Sequence, residues 1–250
     1  MSGHSRWATI KRKKGAADAK KGQIFTKLVR EITTAARTGG GDPNGNPRLR
    51  AAITAAKAQR MPSDNIDRAI KKGTGAIEGP PVEETCYEGY GPGGVAVFVE
   101  AQTDNRNRTT AEVRAAFTKL GGNLGAAGSV GWMFNKRGQF VFDAGRFSED
   151  QIMEVALDAG ADDVASDGAG ITVLSDLRAF NAVMDAFEKK GLACESAELT
   201  MIPENFVKVG GEDAERVLRL VERLEELDDV QKVYANFDID EVELERLAGV

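Results

Sequence analysis

Seven of the chain's 33 lysines and arginines lie between residues 6 and 21, in "GHSRWATIKRKKGAADAKKGQIF": Arg6, Lys11, Arg12, Lys13, Lys14, Lys20 and Lys21. Lys27 follows just beyond, and Arg30 sits three residues further on. Each such cation can neutralise a phosphate and release counterions, which gives affinity that falls steeply with salt. Trp7 and the sole histidine, His4, add ring faces that can stack on an unpaired base or ribose. The structural alternative is that Trp7 packs on the helices that follow.

A second candidate is "EAQTDNRNRTTAE". There a strand gives way to Asp104, Asn105, Arg106, Asn107 and Arg108 before a helix. Free amides at a helix start, flanked by the guanidinium groups of Arg106 and Arg108, can hold a phosphate or carboxylate. An Asx-type turn whose arginines make local ion pairs reads equally well. In "YEGYGPGGVAV" the glycines lack the spacing of a P-loop or a dinucleotide fingerprint, and a tight hairpin is expected.

Catalytic chemistry has little to stand on. One histidine rules out a multi-histidine metal site and a histidine triad by count. Cys86 and Cys194 lie outside any CxxC pattern and read as thiols of a reducing compartment. Asp162 and Asp163 are expected in a turn. No enzyme activity, metal or cofactor is expected.

Charge is unevenly divided along the chain. The whole protein carries a net charge of −6, yet residues 1–75 hold 17 basic and 5 acidic side chains, and residues 76–250 hold 16 and 34. The first segment is therefore +12 and the second −18. "KKGTGAIEGPPVEE" between them has the composition of a linker.

The elements that must position these residues follow from periodicity. "QIFTKLVREITTAAR" sets Ile24, Phe25, Leu28, Val29, Ile32 and Ala36 on one helical stripe. "PRLRAAITAAKAQRM" reads as a second helix with Pro47 in its first turn, and "SDNIDRAIKKG" as a third, capped by Ser63 or Asp64 and stopped by Gly73. Together they predict a small bundle with a thin core, preceded by an arm. Beyond the linker the period changes. "GVAVFVEAQ" predicts a buried strand, and "RTTAEVRAAFTKLGG" a helix with a Thr109–Glu112 capping box. "GQFVFDA", "SEDQIMEVALDAG" (boxed by Ser148 and Gln151), a weak "ADDVAS", "GITVLS", "DLRAFNAVMDAFEKKG" and "ACESAELTMI" predict β-α-β-β-α-β. "NFVKV", "EDAERVLRLVERLEEL" and "VQKVYANFD" close the chain as strand, helix, strand.

The fold expected is thus α+β: an N-terminal three-helix domain (residues 1–75) followed by two ferredoxin-like domains. Residues 76–134 with 203–250 form one, and residues 135–202 form the other, inserted in it.

The stretches "GHSRWATIKRKKGAADAKKGQIFTKLVREI", "YEGYGPGGVAVFVEAQTDNRNRT" and "GSVGWMF" closely resemble the YebC/PmpR family along essentially the full chain. The resemblance implies a helical domain and two α+β domains, one inserted in the other. Members are commonly labelled DNA-binding transcriptional regulators. Mitochondrial relatives look like translational activators of cytochrome c oxidase, and some bacterial members like ribosome-associated factors that relieve stalling.

Two functions stay open at this level. A DNA-binding regulator needs a helix that presents base-reading side chains, and "RLRAAITAAKAQR" offers Arg48, Arg50, Lys57, Gln59 and Arg60 among many alanines. A ribosome-associated translation factor, binding ribosomal RNA or tRNA, suits an extended basic arm on an acidic body. Nucleic acid is the expected partner either way, with no membrane partner and a monomer favoured. Despite the basic start, Trp7, the dense lysines and the glycines fit a mitochondrial presequence poorly, and a cytosolic location is expected.

Overall fold

The computed structural model describes residues 21–166 and 170–248. They fall into two compact units, residues 132–206 and the remainder of the described chain.

The larger unit begins with three helices: α1 (Lys21–Gly39), α2 (Pro47–Ala58) and α3 (Ser63–Gly73). Ile32 and Ala36 of α1, Leu49 and Ala56 of α2, and Ile66 and Ala69 of α3 form a small buried core, with Phe25, Leu28 and Ile70 packed at its edge. Ile24, at the far end of the expected stripe, stays 38% exposed. Asn46 welds the first two helices together. Its Oδ1 accepts from Leu49 N at 3.1 Å and so caps α2, while its Nδ2 donates to Ala35 O at 2.8 Å and Gly40 O at 2.9 Å. Pro47 stands at the first position of α2, where its missing N–H costs nothing.

Two terminal assignments differ from the sequence reading. Neither Ser63 nor Asp64 caps α3, because Pro62 occupies the cap position and offers no side-chain acceptor. Gly73 is the last residue of α3 rather than a left-handed stop. A Cβ there would lie 2.4 Å from Thr33 O and 2.8 Å from Ala36 Cβ, so the absent side chain lets α3 cross α1 closely. The positive φ falls at Gly75 instead.

After the linker come β1 (Glu83–Tyr90) and β2 (Ala96–Thr103), an antiparallel hairpin whose turn holds Gly93 and Gly94 at positive φ. Helix α4 (Arg106–Lys119) and the short β3 (Asn123–Leu124) follow. The 132–206 unit then runs β4 (Phe134–Asp143), α5 (Glu149–Asp158), β5 (Ala161–Ser166), β6 (Gly170–Ser175), α6 (Phe180–Lys189) and β7 (Ser196–Pro203). The chain ends with β8 (Val207–Lys208), α7 (Gly211–Glu225), β9 (Val230–Ala235), β10 (Phe237–Asp238) and α8 (Glu241–Ala248).

The 132–206 unit is a ferredoxin-like sandwich with antiparallel sheet order β5-β6-β4-β7. Phe140 and Phe142 of β4 meet Phe187 of α6 edge-on at 5.4 and 4.7 Å, over Ile152, Ile171 and Val183. Ser148 accepts from Gln151 N and caps α5 as read from the sequence. Asp162 and Asp163 lie within β5, not in a turn, at a register shift between Ala161 and Asp163; Asp162 pairs with Arg137 at 2.7 Å. The sheet of the larger unit has order β3-β1-β2-β9, so its strands come from both sides of the 132–206 segment. Its β2 is buried along almost its whole length. The fold is α+β, with one sheet domain placed inside the sequence of the other.

Asn46 satisfies two helix ends at once, so its loss is expected to be costly. Asn46→Ala should lower the unfolding free energy by about 2 kcal/mol in urea titration. A change below about 0.5 kcal/mol would show that water replaces all three bonds.

Candidate nucleic-acid interface

His4, Arg6, Trp7, Lys11, Arg12, Lys13, Lys14 and Lys20 lie outside the described residues. Lys21 opens α1. The remaining candidates, Lys27, Arg30, Asn105, Arg106 and Arg108, are in view, and all but Arg106 bond to protein groups through their side chains.

Helix α7 ends at Glu225, leaving carbonyls without intrahelical donors. Three side chains of α1 supply those donors. Gln23 Nε2 donates to Glu226 O at 2.8 Å, Lys27 Nζ to Glu225 O at 2.7 Å, and Arg30 to Asp228 O. The spacing 23, 27, 30 is that of one helix face, so a stripe of α1 caps α7 from outside. Arg30 also pairs with Asp229 at 2.5 Å.

Asp229 is 1% exposed and collects four side chains. Besides Arg30, Arg108 Nη2 donates at 2.8 Å, the Thr109 hydroxyl at 2.5 Å and the Thr103 hydroxyl at 3.2 Å. Burial pushes this carboxyl upward, yet the Thr109 and Arg108 hydrogen bonds and the charges of Arg30 and Arg108 outweigh it and hold it below the usual range. Asp229 in turn raises Arg108, despite the opposing effect of burial.

The turn at 104–108 is accordingly an internal fitting. Asn105 accepts from Arg108 N at 3.1 Å and is the cap of α4. Thr109, expected as that cap, is instead buried one turn inside the helix, with its hydroxyl committed to Asp229. Arg108 also pairs with Asp104 at 3.0 Å. Of the residues singled out in this turn, Arg106 is exposed without such a pair.

A second clamp ties the helices to the sheet. Arg48 grips both Glu31 oxygens at 2.7 and 2.9 Å and reaches Glu84 at 2.7 Å, while Gln102 Nε2 donates to Glu31 at 2.6 Å. The Arg48 hydrogen bond holds Glu84 below its ordinary value, and the two carboxylates push Arg48 up. Arg50 donates to Pro43 O and Asn44 O. Arg48 and Arg50 are thus spent on the fold. The exposed surface of α2 is left with Ala51, Thr54, Ala55, Lys57 and Ala58.

Cations that remain unengaged are found elsewhere. Lys57, Arg60, Arg68 and Lys71 are exposed, and their side chains make no hydrogen bond or ion pair to other described residues. Arg37 and Lys72 line an open cleft of about 380 Å³ together with Glu78.

Arg60 is unusual in its backbone. Helix α2 ends with Arg60 N donating to Lys57 O at 2.9 Å and Met61 N to Ala56 O at 3.0 Å, while Met61 is buried beside Ala56. This is a Schellman motif, and the left-handed position that glycine normally takes is held by Arg60, with φ +59. Among the described residues it is the only non-glycine with positive φ. A side chain there costs about 1 kcal/mol relative to glycine.

Sequence reasoning missed Asp229 and the α7 carbonyls as the targets of the candidate cations. The acidic "EELDDV" between a helix and a strand was the only local signal, and it names no partner.

A basic three-helix bundle joined by ion pairs to an α+β sheet is the architecture of the larger unit. A family model described as "TACO1/YebC protein N-terminal domain" matches residues 5–76, and another, "TACO1/YebC second and third domain", matches residues 82–237. The chain belongs to the TACO1/YebC family. It is 61% identical over 247 residues to a probable transcriptional regulatory protein of Geobacter sulfurreducens, covering 99% of this chain and 100% of that one. A protein of the same name from Syntrophobacter fumaroxidans is 57% identical over 249 residues, again covering 99% and 100%. The crystal structure of a conserved hypothetical protein from Aquifex aeolicus is 49% identical, with a TM-score of 0.80 over 90% of this chain and 93% of that one. Among the described residues no helix is long and apolar enough to cross a membrane.

The depressed Asp229 carboxyl fixes the sign of a pH effect. Its folded pKa lies below its unfolded value of about 3.9, so its stabilisation is complete above that value. It is lost as pH falls through the folded pKa. Asp229→Asn should cost about 3 kcal/mol at pH 7 and flatten the fall of stability below about pH 4. Urea titrations across pH 3–7 measure both, and an unaltered acid limb would mean that Asp229 carries none of the linkage.

Proposed function

We propose that this protein is a non-enzymatic, nucleic-acid-binding regulator of gene expression that grips the sugar–phosphate backbone through its N-terminal third. The observation that carries this reading is the charge division, +12 in residues 1–75 against −18 in the rest. A polyanion is drawn to one end and repelled by the other, which fixes orientation as well as affinity. The names of the relatives support a regulator, and the cytosol is the compartment assigned to it.

Within the candidate interface the roles divide. Arg6, Lys11, Arg12, Lys13, Lys14 and Lys20 ahead of α1, with Lys21 at its start, supply phosphate contacts, and Trp7 and His4 supply ring faces. Lys27 and Arg30 serve to seat the bundle, Arg108 braces α4 with Asn105 as its cap, and Arg106 stays available at the surface.

One observation favours a second reading, that of a ribosome-associated factor on ribosomal RNA or tRNA. An α2 whose arginines are internally bound and whose outer surface is mostly alanine is poorly equipped to read base edges in a major groove. Phosphate and shape readout then dominate, as they do on folded RNA.

Changing Lys11, Arg12, Lys13 and Lys14 together to Ala should weaken binding and reduce the slope of log K against log salt by up to about four units. An unchanged slope would remove the arm from the interface. Sedimentation of lysate through sucrose separates the two readings. Migration with ribosomes at low salt and release at high salt supports the RNA target, and discrete promoter footprints without it support DNA.

A further inference from the structure

We propose that the open face of the sheet in the 132–206 unit is a docking surface for the chain's own N-terminal arm, residues 1–20, which a nucleic acid then draws away. The inference rests on the reading of the arm as the phosphate-gripping element and adds a regulation of that grip.

The face follows from strand alternation. Phe140 and Phe142 of β4 and Ile171 and Val173 of β6 point to one side, where Ile152 and Ala156 of α5 and Val183 and Phe187 of α6 pack on them. Both helices of the unit therefore lie on that side. The intervening residues point the other way. Register sets Val141 beside Thr172 and Ser196, Gln139 beside Leu174 and Glu198, Asn135 beside Ile202, and Asp163 beside Leu174. Val141, Thr172, Leu174 and Ile202 thus make a largely apolar middle. Asp143 on β4, Asp163 on β5 and Glu198 on β7 stand around it.

Two observations favour a cationic peptide as the occupant. Thr172 is 5% exposed, and its hydroxyl has no hydrogen-bond partner among the described residues. A buried hydroxyl without a partner is costly, and a backbone amide or carbonyl laid across the face would satisfy it. The acids, in turn, lack cations. Asp143 and Asp163 have no ion pair to described residues, whereas Asp162 pairs with Arg137, and Glu212 and Glu215 of α7 pair with arginines one turn on. The 132–206 unit holds 14 acidic and 6 basic side chains.

The arm has the complementary composition. Residues 1–20 carry six basic side chains and one acidic, with Trp7 and Ile10 among them. Extended, twenty residues reach up to about 70 Å from Lys21, where α1 begins. Apolar groups meet the middle of the face and cations meet its rim. Exposed charge pairs of this kind are individually weak and screened by salt, so the contact yields to the denser charge of a nucleic acid.

The chain has two tryptophans, Trp7 and Trp132, so full-length Trp132→Phe leaves Trp7 as the sole reporter. At low salt Trp7 emission should be blue-shifted and shielded from acrylamide. High salt, or a DNA duplex or RNA hairpin, should shift it to the red and open it to the quencher. Asp163→Lys with Glu198→Lys should open Trp7 already at low salt and raise affinity for either labelled probe about threefold, because the arm loses its internal competitor. Asp163→Asn with Glu198→Gln should give part of both effects, and it tests the face if the lysine pair does not fold. Glu154→Lys with Asp185→Lys changes the net charge equally at exposed acids of α5 and α6, on the helical side. That pair should leave Trp7 shielded and raise affinity less.

Trp7 equally open at low and high salt would overturn the docking. So would equal effects of the two lysine pairs, which leave only the net field. Shielding that survives both high salt and the Asp163 and Glu198 substitutions would place Trp7 on another surface. Shielding that grows with protein concentration would assign the face to the arm of a second copy, against the contact proposed. Salt-released shielding in a protein that binds neither probe would keep the docking and remove the nucleic-acid reading.

Discussion

A carboxylate removed from water needs partners, and in this protein Asp229 finds them on three elements: Arg30 on α1, Thr103 at the end of β2, and Arg108 and Thr109 on α4. Because the acid is almost wholly buried, the loss of any one guanidinium leaves charge that solvent cannot restore. The neighbouring carbonyls of residues 225, 226 and 228 accept from Gln23, Lys27 and Arg30 on the same face of α1. The bundle is thereby tied to the sheet domain through a polar seam.

The seam sorts the basic residues into two populations. Lys27, Arg30, Arg48 and Arg108 bond to protein carboxylates and carbonyls and contribute to the fold. The side chains of Lys57, Arg60, Arg68 and Lys71 make no such bonds to described residues and contribute to the field outside. Net charge alone merges the two. A positive stretch of sequence is a reliable sign of a cationic end, yet only some of its members are available to a ligand.

Periodicity made most of the fold legible. The α1 stripe, the buried β2, the Ser148 cap and the β-α-β-β-α-β order of the 132–206 unit all follow from local pattern. Local pattern failed where a long-range partner decided the outcome. Thr109 has the spacing of a capping residue, but a hydroxyl committed to Asp229 cannot serve as one, and Asn105 takes the role. Arg30 and Arg108 read as ligand-binding cations because their acid lies far along the chain, 121 positions from Arg108. Gly73 read as a stop because a one-dimensional pattern does not show the helix that crosses it. Arg60 read as one more candidate base-reading cation of the second helix, since the left-handed backbone that makes it unusual is visible only in three dimensions.

The interleaved strand order bears on how the chain matures during synthesis. The 132–206 unit assembles its sheet from consecutive residues and can close as soon as they emerge. The outer sheet cannot: β2 waits for β9, which is made more than a hundred residues later. Helix α1 waits longer still, because Arg30 and its acceptor at Asp228 are 198 positions apart. Asp229 therefore cannot collect Arg30, Thr103, Arg108 and Thr109 until long after all four have been made.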